Sequence, residues 1–217
     1  MADIYAFPVG VPNEGQPLRP QGVPDELWAA VESVSGITKI AGVRYREIPV
    51  PSTLADYGIG VELEADNSDS SAHHEGASRD INAMDYAAMR SATGWLMVLY
   101  CNTPRPDWGS RWRCVAFARL PLEAQENDSL TPGMYWDDMC DYLDNVEPDS
   151  VSGTVTVNQN TAFGTLAGTT SAGCEIRVSW TPLDGSGPDG TMDAGAQVNS
   201  WAAFITSAVR FEEADDR

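Results

Sequence analysis

The segment YGIGVELE, residues 57–64, alternates strictly between apolar side chains and glycine or glutamate. Successive side chains of a β-strand point to opposite faces of its sheet, so this segment predicts a strand with one buried face and one solvated face. Sheets that keep one face wet are antiparallel, whereas parallel sheets are covered on both faces. The alternation therefore favours a fold built around an antiparallel sheet.

Apolar periodicity predicts the remaining elements. Five more strands are predicted at residues 43–50, 94–101, 111–120, 153–159 and 174–180. Three helices are predicted. The first covers residues 24–34, the second begins with Thr131 as cap and Pro132 as first helical residue, and the third covers residues 193–209. The order α-β-β-β-β-α-β-β-α favours an α+β fold, with a mainly antiparallel sheet and helices packed on one face.

Composition sets the predicted boundaries of this domain. Residues 1–23 carry four prolines and three glycines without periodicity, which indicates a flexible leader. A single domain is predicted over 24–211, followed by an acidic tail at 212–217. Residues 65–92 are polar and small, too long for a hairpin loop, and are interpreted as an insertion with one helical turn near 82–90.

The chain is strongly acidic, with a formal net charge of −19. Such a molecule repels phosphate backbones and anionic lipids, so generic nucleic-acid binding is not expected. No apolar stretch long enough for an export signal or a membrane span is visible. The spacing of the four cysteines fits neither a redox pair nor a zinc knuckle, which predicts free thiols and a cytoplasmic location.

No catalytic motif is found, and no cofactor or metal is expected. His73 and His74 are adjacent in the polar insertion, where ligands are poorly supported, and are interpreted as solvated. Asp137, Asp141 and Asp144 share one helical face. They could hold a divalent cation, but the solvated face of an amphipathic helix explains them better.

Basic residues are scarce, yet the segment SRWRCVAFARLPLE, residues 110–123, contains three arginines. On a strand, Arg111, Arg113 and Arg119 share one face with Val115 and Phe117, while small and apolar side chains occupy the other. The strand therefore predicts an arginine-bearing face that points away from the helices.

The same alternation places Arg44 and Arg46 together on one strand, and Glu62 and Glu64 together on the next. The first hypothesis is a ladder of Arg–Glu pairs on the open face of the sheet. The second is a docking face, rimmed by Trp108, for a protein or a single RNA strand. The candidate partner-binding residues are Arg44, Arg46, Trp108, Arg111, Arg113 and Arg119.

Four separated motifs, REIPVPSTLADY, WRCVAFARLPLE, SGTVTVNQNTAFG and EIRVSWTP, together resemble a bacterial family known as domain of unknown function 3000. The resemblance covers about Glu26 to Val209. It implies a cytoplasmic bacterial protein without assigned activity, and a gene neighbourhood shared with a ribonuclease D-like exonuclease. The insertion at 65–92 and the acidic tail depart from the family pattern.

These observations lead to a functional hypothesis without a named partner. We expect a non-enzymatic binding or adaptor module that binds another protein. The first alternative is a factor associated with RNA metabolism that uses the arginine face, and the second is an enzyme of unrecognised type. The oligomeric state stays open at this level.

Overall fold

The computed structural model describes residues 19–66, 91–122, 128–161, 163, 170–185, 187 and 191–210. Within them the chain forms three α-helices and a six-stranded antiparallel sheet, in the predicted order. The helices are α1 (Asp25–Ser35), α2 (Thr131–Tyr142) and α3 (Ala194–Arg210). The strands are β1 (Val43–Glu47), β2 (Tyr57–Asp66), β3 (Ser91–Arg105), β4 (Ser110–Leu122), β5 (Ser152–Thr161) and β6 (Thr170–Trp180).

The strands lie in the order β1-β2-β3-β4-β6-β5, and every neighbouring pair is antiparallel. β2 and β3 pair without interruption from Tyr57 opposite Tyr100 to Asp66 opposite Ser91. The alternation in β2 is as predicted, since Ile59, Val61 and Leu63 are buried. The sheet thus separates a helix-covered face from an open face.

Two predicted boundaries differ from the structure. Residues 65–66 end β2 and residues 91–92 begin β3, so both ends of the segment interpreted as an insertion belong to the sheet. Val23, assigned to the leader, is buried in the core. Residues 1–18, 67–90 and 211–217 lie outside the described residues, and with them the predicted helical turn and the acidic tail.

The helix layer is centred on α3, which packs on α1, on α2 and on strands β2, β3 and β4. The predicted apolar stripe of α3 is buried, as is that of α1. At the crossing of α1 and α3, the amide of Gly195 donates a 3.0 Å hydrogen bond to Ser33 Oγ. A Cβ at position 195 would lie 2.6 Å from the Ser33 carbonyl oxygen, so the crossing requires glycine.

One buried polar side chain connects α3 to two other elements. The amide of Gln197 is fully buried and accepts a 2.7 Å hydrogen bond from Trp180 Nε1 on β6. Its nitrogen donates to the carbonyl oxygen of Asp144 at 3.0 Å, just beyond α2. The Gln197 side chain therefore joins α3 to β6 and to the end of α2. Its oxygen and its nitrogen are both hydrogen-bonded, and an unpaired buried amide would be destabilising.

The start of α2 differs in detail from the prediction. Thr131 was predicted as the cap, but it is buried inside the first turn. The carboxylate of Asp128 instead accepts hydrogen bonds from the amides of Leu130 and Thr131, at 2.7 and 3.0 Å. These bonds hold the pKa of Asp128 below its usual value. The capping role thus falls on a carboxylate just upstream of the helix.

The four cysteines are free, as predicted. Cys101, Cys114 and Cys174 are buried and Cys140 is half-buried. Burial raises the pKa of Cys114 far above its usual value and that of Cys174 to about 12. Both thiols are therefore protonated and unreactive in the folded protein.

The α1–α3 crossing can be tested with one methyl group. Gly195→Ala should lower the free energy of unfolding by about 1–3 kcal/mol, because the new Cβ meets backbone that cannot yield. Gly133→Ala is the matched control: it lies in α2 with nothing near its added Cβ, and should be neutral or stabilising by up to about 1 kcal/mol. Urea unfolding compares the two variants, and equal effects would contradict the close approach.

Candidate functional site

The open face of the sheet carries an apolar strip at its centre. On β3 and β4, Trp95 lies opposite Phe117 and Met97 lies opposite Val115. The Trp95 and Phe117 rings are stacked with centroids 6.0 Å apart. All four side chains are half-buried, although no described helix lies on this face. We call these four residues the apolar strip.

The segment after β1 borders the strip on one side. It crosses onto the open face at Ile48, whose amide donates to the Gly60 carbonyl oxygen at 2.9 Å. A Cβ on Gly60 would lie 2.4 Å from the Ile48 carbonyl oxygen, and one on Gly58 would meet the Val50 side chain. The two glycines in the alternating segment of β2 are thus explained by this close approach.

Beyond this segment, β1 and β2 form the predicted ladder of opposite charges. Arg44 lies opposite Glu64 and donates to it at 2.8 Å. Arg46 lies opposite Glu62 and donates through Nε at 2.6 Å. Both arginines are largely exposed, so each pair adds less than about 1 kcal/mol to stability. The ladder hypothesis is confirmed for these two residues.

A second group of charges borders the strip on the side of β6. Glu175 binds both Arg119, at 2.9 Å, and Arg177, at 2.8 Å. These arginines, Arg119 first, hold the pKa of Glu175 below its usual value. The guanidinium of Arg177 also lies 5.3 Å from the Phe117 ring centroid. Because Arg119 pairs with Glu175 on the neighbouring strand, it belongs to the ladder as well.

Arg113 is held differently from its neighbours. Its guanidinium donates to Ser179 Oγ at 2.7 Å and to Thr181 Oγ1 at 3.1 Å, and it forms no ion pair with any described residue. Asp107, which acts on it through space, is already paired with Arg105. Partial burial lowers the pKa of Arg113, but an arginine stays charged at neutral pH.

Trp108 is connected to Arg113 through Thr181, whose hydroxyl donates to the Trp108 carbonyl oxygen at 2.8 Å. Trp108 belongs to the turn between β3 and β4, with the Arg105 guanidinium 4.5 Å from its ring centroid. The backbone of Trp108 is thus connected to Arg113 through the hydroxyl of Thr181. Its role in binding stays a prediction.

Arg111 does not join the other arginines. Its guanidinium donates to Glu26 Oε1 at 2.6 Å, and Glu26 belongs to α1 in the helix layer. The hydroxyl of Tyr100 donates to the same oxygen at 2.5 Å. The register shift between Tyr100 and Arg105 places extra residues on β3, whereas the burial of β4 alternates without a break through Arg111. Arg111 therefore differs from Arg119 in its partner, since it pairs with a glutamate of the helix layer and is not part of the ladder.

No metal site is found among the described residues, since none of their His, Cys, Asp and Glu side chains form a group of three able to hold an ion. This includes Asp137, Asp141 and Asp144, whereas His73 and His74 lie outside the described ranges. None of the described helices has the length and hydropathy needed to span a bilayer.

The fold and its open face define a class: an α+β protein with a helix-covered antiparallel sheet and a charge-bordered apolar strip on the other side. The chain belongs to the family described as protein of unknown function DUF3000, whose model matches residues 23–211. No curated protein matches the chain, and no solved structure does. The predicted resemblance to this family is thus confirmed.

The apolar strip was missed as a site, although a signal for it was present. Residues 94–101 are apolar at both odd and even positions, a pattern that also fits a central strand buried on both faces. In the described structure, only the face with Leu96 and Val98 lies under helices. Trp95 and Met97 lie on the other face, next to Val115 and Phe117.

The double ion pair of Glu175 predicts a pH dependence. A carboxyl whose folded pKa is lowered contributes stability above its unfolded pKa, and loses it as pH falls through the folded value. Glu175→Gln should therefore reduce the free energy of unfolding by about 1 kcal/mol at about pH 7, and by less at about pH 3. Urea unfolding at both pH values measures this, and a difference that does not shrink in acid would contradict the pairing.

Proposed function

We propose that the protein is a non-enzymatic binding module that docks another protein on the open face of its sheet. The observation that carries this proposal is the apolar strip, which offers stacked aromatic and aliphatic side chains on a face without a described helix. Aromatic residues and methionine are enriched where proteins bind one another, and fixed aromatic rings lose little entropy on binding. The free cysteines fit an adaptor working in the reducing cytoplasm.

The charges around the strip suggest the chemistry of the partner. Arg44, Arg46, Arg119 and Arg177 are already paired with glutamates, so a ligand would gain little from them. Arg113 is held by hydroxyls and brings an unneutralised charge to the end of the strip. The matching partner surface is apolar with one carboxylate placed to pair with Arg113.

The same charges argue against RNA as the partner. Phosphate binding gains affinity from each cation that is free to replace a counterion. Four of the open-face arginines would have to leave their carboxylates first, and the whole molecule carries −19. We therefore rank a protein partner above a single RNA strand.

The proposal predicts a difference between two arginines on the same face. After a partner has been identified by cross-linking and mass spectrometry, its affinity for purified variants can be measured by biolayer interferometry. Arg113→Gln should weaken binding about tenfold or more, because arginine anchors dominate many interfaces. Its stability should change by no more than about 1 kcal/mol, since the side chain makes only hydroxyl contacts.

Arg46→Gln is the matched control, because it removes the same charge from the same face but from a pair that is already neutral. It should leave the partner affinity within about twofold. If both variants bound like the unchanged protein, the partner would dock elsewhere and the proposal would fail. If both weakened binding equally, the general charge of the protein would matter rather than the site.

RNA binding has its own prediction. The isolated protein should show no measurable affinity for generic single-stranded RNA at physiological ionic strength, because repulsion acts over the whole surface. Fluorescence anisotropy with a labelled oligonucleotide measures this. A dissociation constant at or below about 1 μM, falling steeply with added salt, would reverse the ranking of the two partners.

A further inference from the structure

The two edges of the sheet differ sharply in charge. β1, at one edge, is five residues long and carries Arg44, Arg46 and Glu47. β5, at the other edge, is ten residues long, with the sequence SGTVTVNQNT, and holds neither a charged residue nor a proline. Charged residues, prolines and short length are how proteins prevent strands from adding to their edges. β5 lacks all three.

The outer edge of β5 is also free within the described structure. β6 is its only strand partner among the described residues, which leaves its other row of backbone N–H and C=O groups available. Val155 and Val157, on the helix side, stay half-buried rather than buried. A further strand would pair with the backbone row and cover these two valines.

The helix above this edge determines what would fit. α2 packs on β5 and on α3, and Tyr142 contacts the Phe204 ring of α3. At 100° per residue, Trp136 and Cys140 lie on the opposite flank of α2 from Tyr142. They therefore lie on the flank of α2 away from α3, half-buried and packed against the margin of the core on the β5 side.

The charge next to this edge has one sign. Residues 128–150, which contain α2 and lead into β5, hold seven acidic residues and no Lys, Arg or His. None of the seven forms an ion pair with a described residue. Asp137 and Asp141 are exposed on α2, and Asp141 lies in the last turn, where the helix dipole disfavours a carboxylate. Helix stability therefore does not account for Asp141.

We propose that the free edge of β5 binds an extended basic segment of another protein, which adds to the sheet as a further strand. Every second side chain of such a segment points to the helix side. A Lys or Arg there lays its apolar stem against Trp136 and reaches Asp137 or Asp141 with its charge. A second copy of this chain fits poorly at this edge, because its β5 has no basic residue and its own acidic α2 would be brought next to the first α2.

A model peptide tests the proposal. A fluorescein-labelled ten-residue peptide of alternating lysine and valine should bind the full-length protein at about 0.15 M salt. The same peptide with glutamate in place of lysine should not bind. A lysine–valine peptide in which two valines are replaced by proline should bind at least about tenfold more weakly, because proline cannot pair as a strand. Fluorescence anisotropy gives the affinities.

Matched variants locate the binding site. Asp137→Asn with Asp141→Asn should weaken peptide binding about tenfold, the effect of losing two charge contacts of about 0.7 kcal/mol each. Asp25→Asn with Asp66→Asn changes the net charge equally at exposed positions outside α2 and β5, and should change affinity less than twofold. Thermal unfolding of both double variants shows that each is folded.

Hydrogen exchange identifies the surface that the peptide covers. The peptide should slow amide exchange in residues 152–161 and leave β1 unchanged, because only the amides of an edge that gains a strand become protected. Equal weakening by both double variants, or protection elsewhere, would show diffuse attraction to an acidic protein and overturn the proposal. Dimerisation in sedimentation equilibrium that Thr156→Lys abolishes would mean that a second copy occupies the edge, and would overturn it too.

Discussion

Gln197 joins three parts of the protein that are far apart in the sequence. Its buried amide binds Trp180 on β6 and the backbone that follows α2, while its own helix α3 lies across the middle strands. Losing this side chain would leave the buried indole N–H of Trp180 without its acceptor, at a cost of about 1–3 kcal/mol. The position of the helix layer, and with it the separation of the two sheet faces, depends on this amide.

A sheet with only one covered face must make its other face compatible with water. In this protein, ion pairs occupy both sides of the open face and the apolar strip occupies its centre. The exposed pairs contribute little to folding stability but hold polar groups next to apolar ones. The strip is consequently kept at half burial, a state suited to reversible contact with another surface.

The sequence was sufficient where local periodicity decides the structure. Strand alternation placed Arg44, Arg46, Glu62 and Glu64 on the correct face, because the period of two holds over an uninterrupted ladder. It could not show the partner of Arg111, because the position of α1, which brings Glu26 to this guanidinium, is not encoded locally. The cap of α2 was misplaced by three residues, since several side chains able to cap lie together at residues 127–131 and the helical periodicity does not choose between them.

The candidate site was only partly predictable because a strand pattern shows which side chains share a face, but not what covers that face. The apolar positions 95 and 97 fit a strand buried on both sides as well as they fit an uncovered strip. Equally, the arginine count of β4 could not show which guanidinium groups are neutralised. Arg113 binds the hydroxyls of Ser179 and Thr181, whereas Arg119 lies opposite Glu175 and pairs with it.

The pairing of β2 with β3 has a consequence for how this chain can change during evolution. Ten consecutive pairs fix their alignment, from Tyr57 with Tyr100 to Asp66 with Ser91, and the apolar side chains of one face specify that alignment by themselves. The connection between the two strands is therefore not needed to set their register. Changes in the length or sequence of residues 67–90 therefore leave the alignment of β2 with β3 specified by the strands themselves.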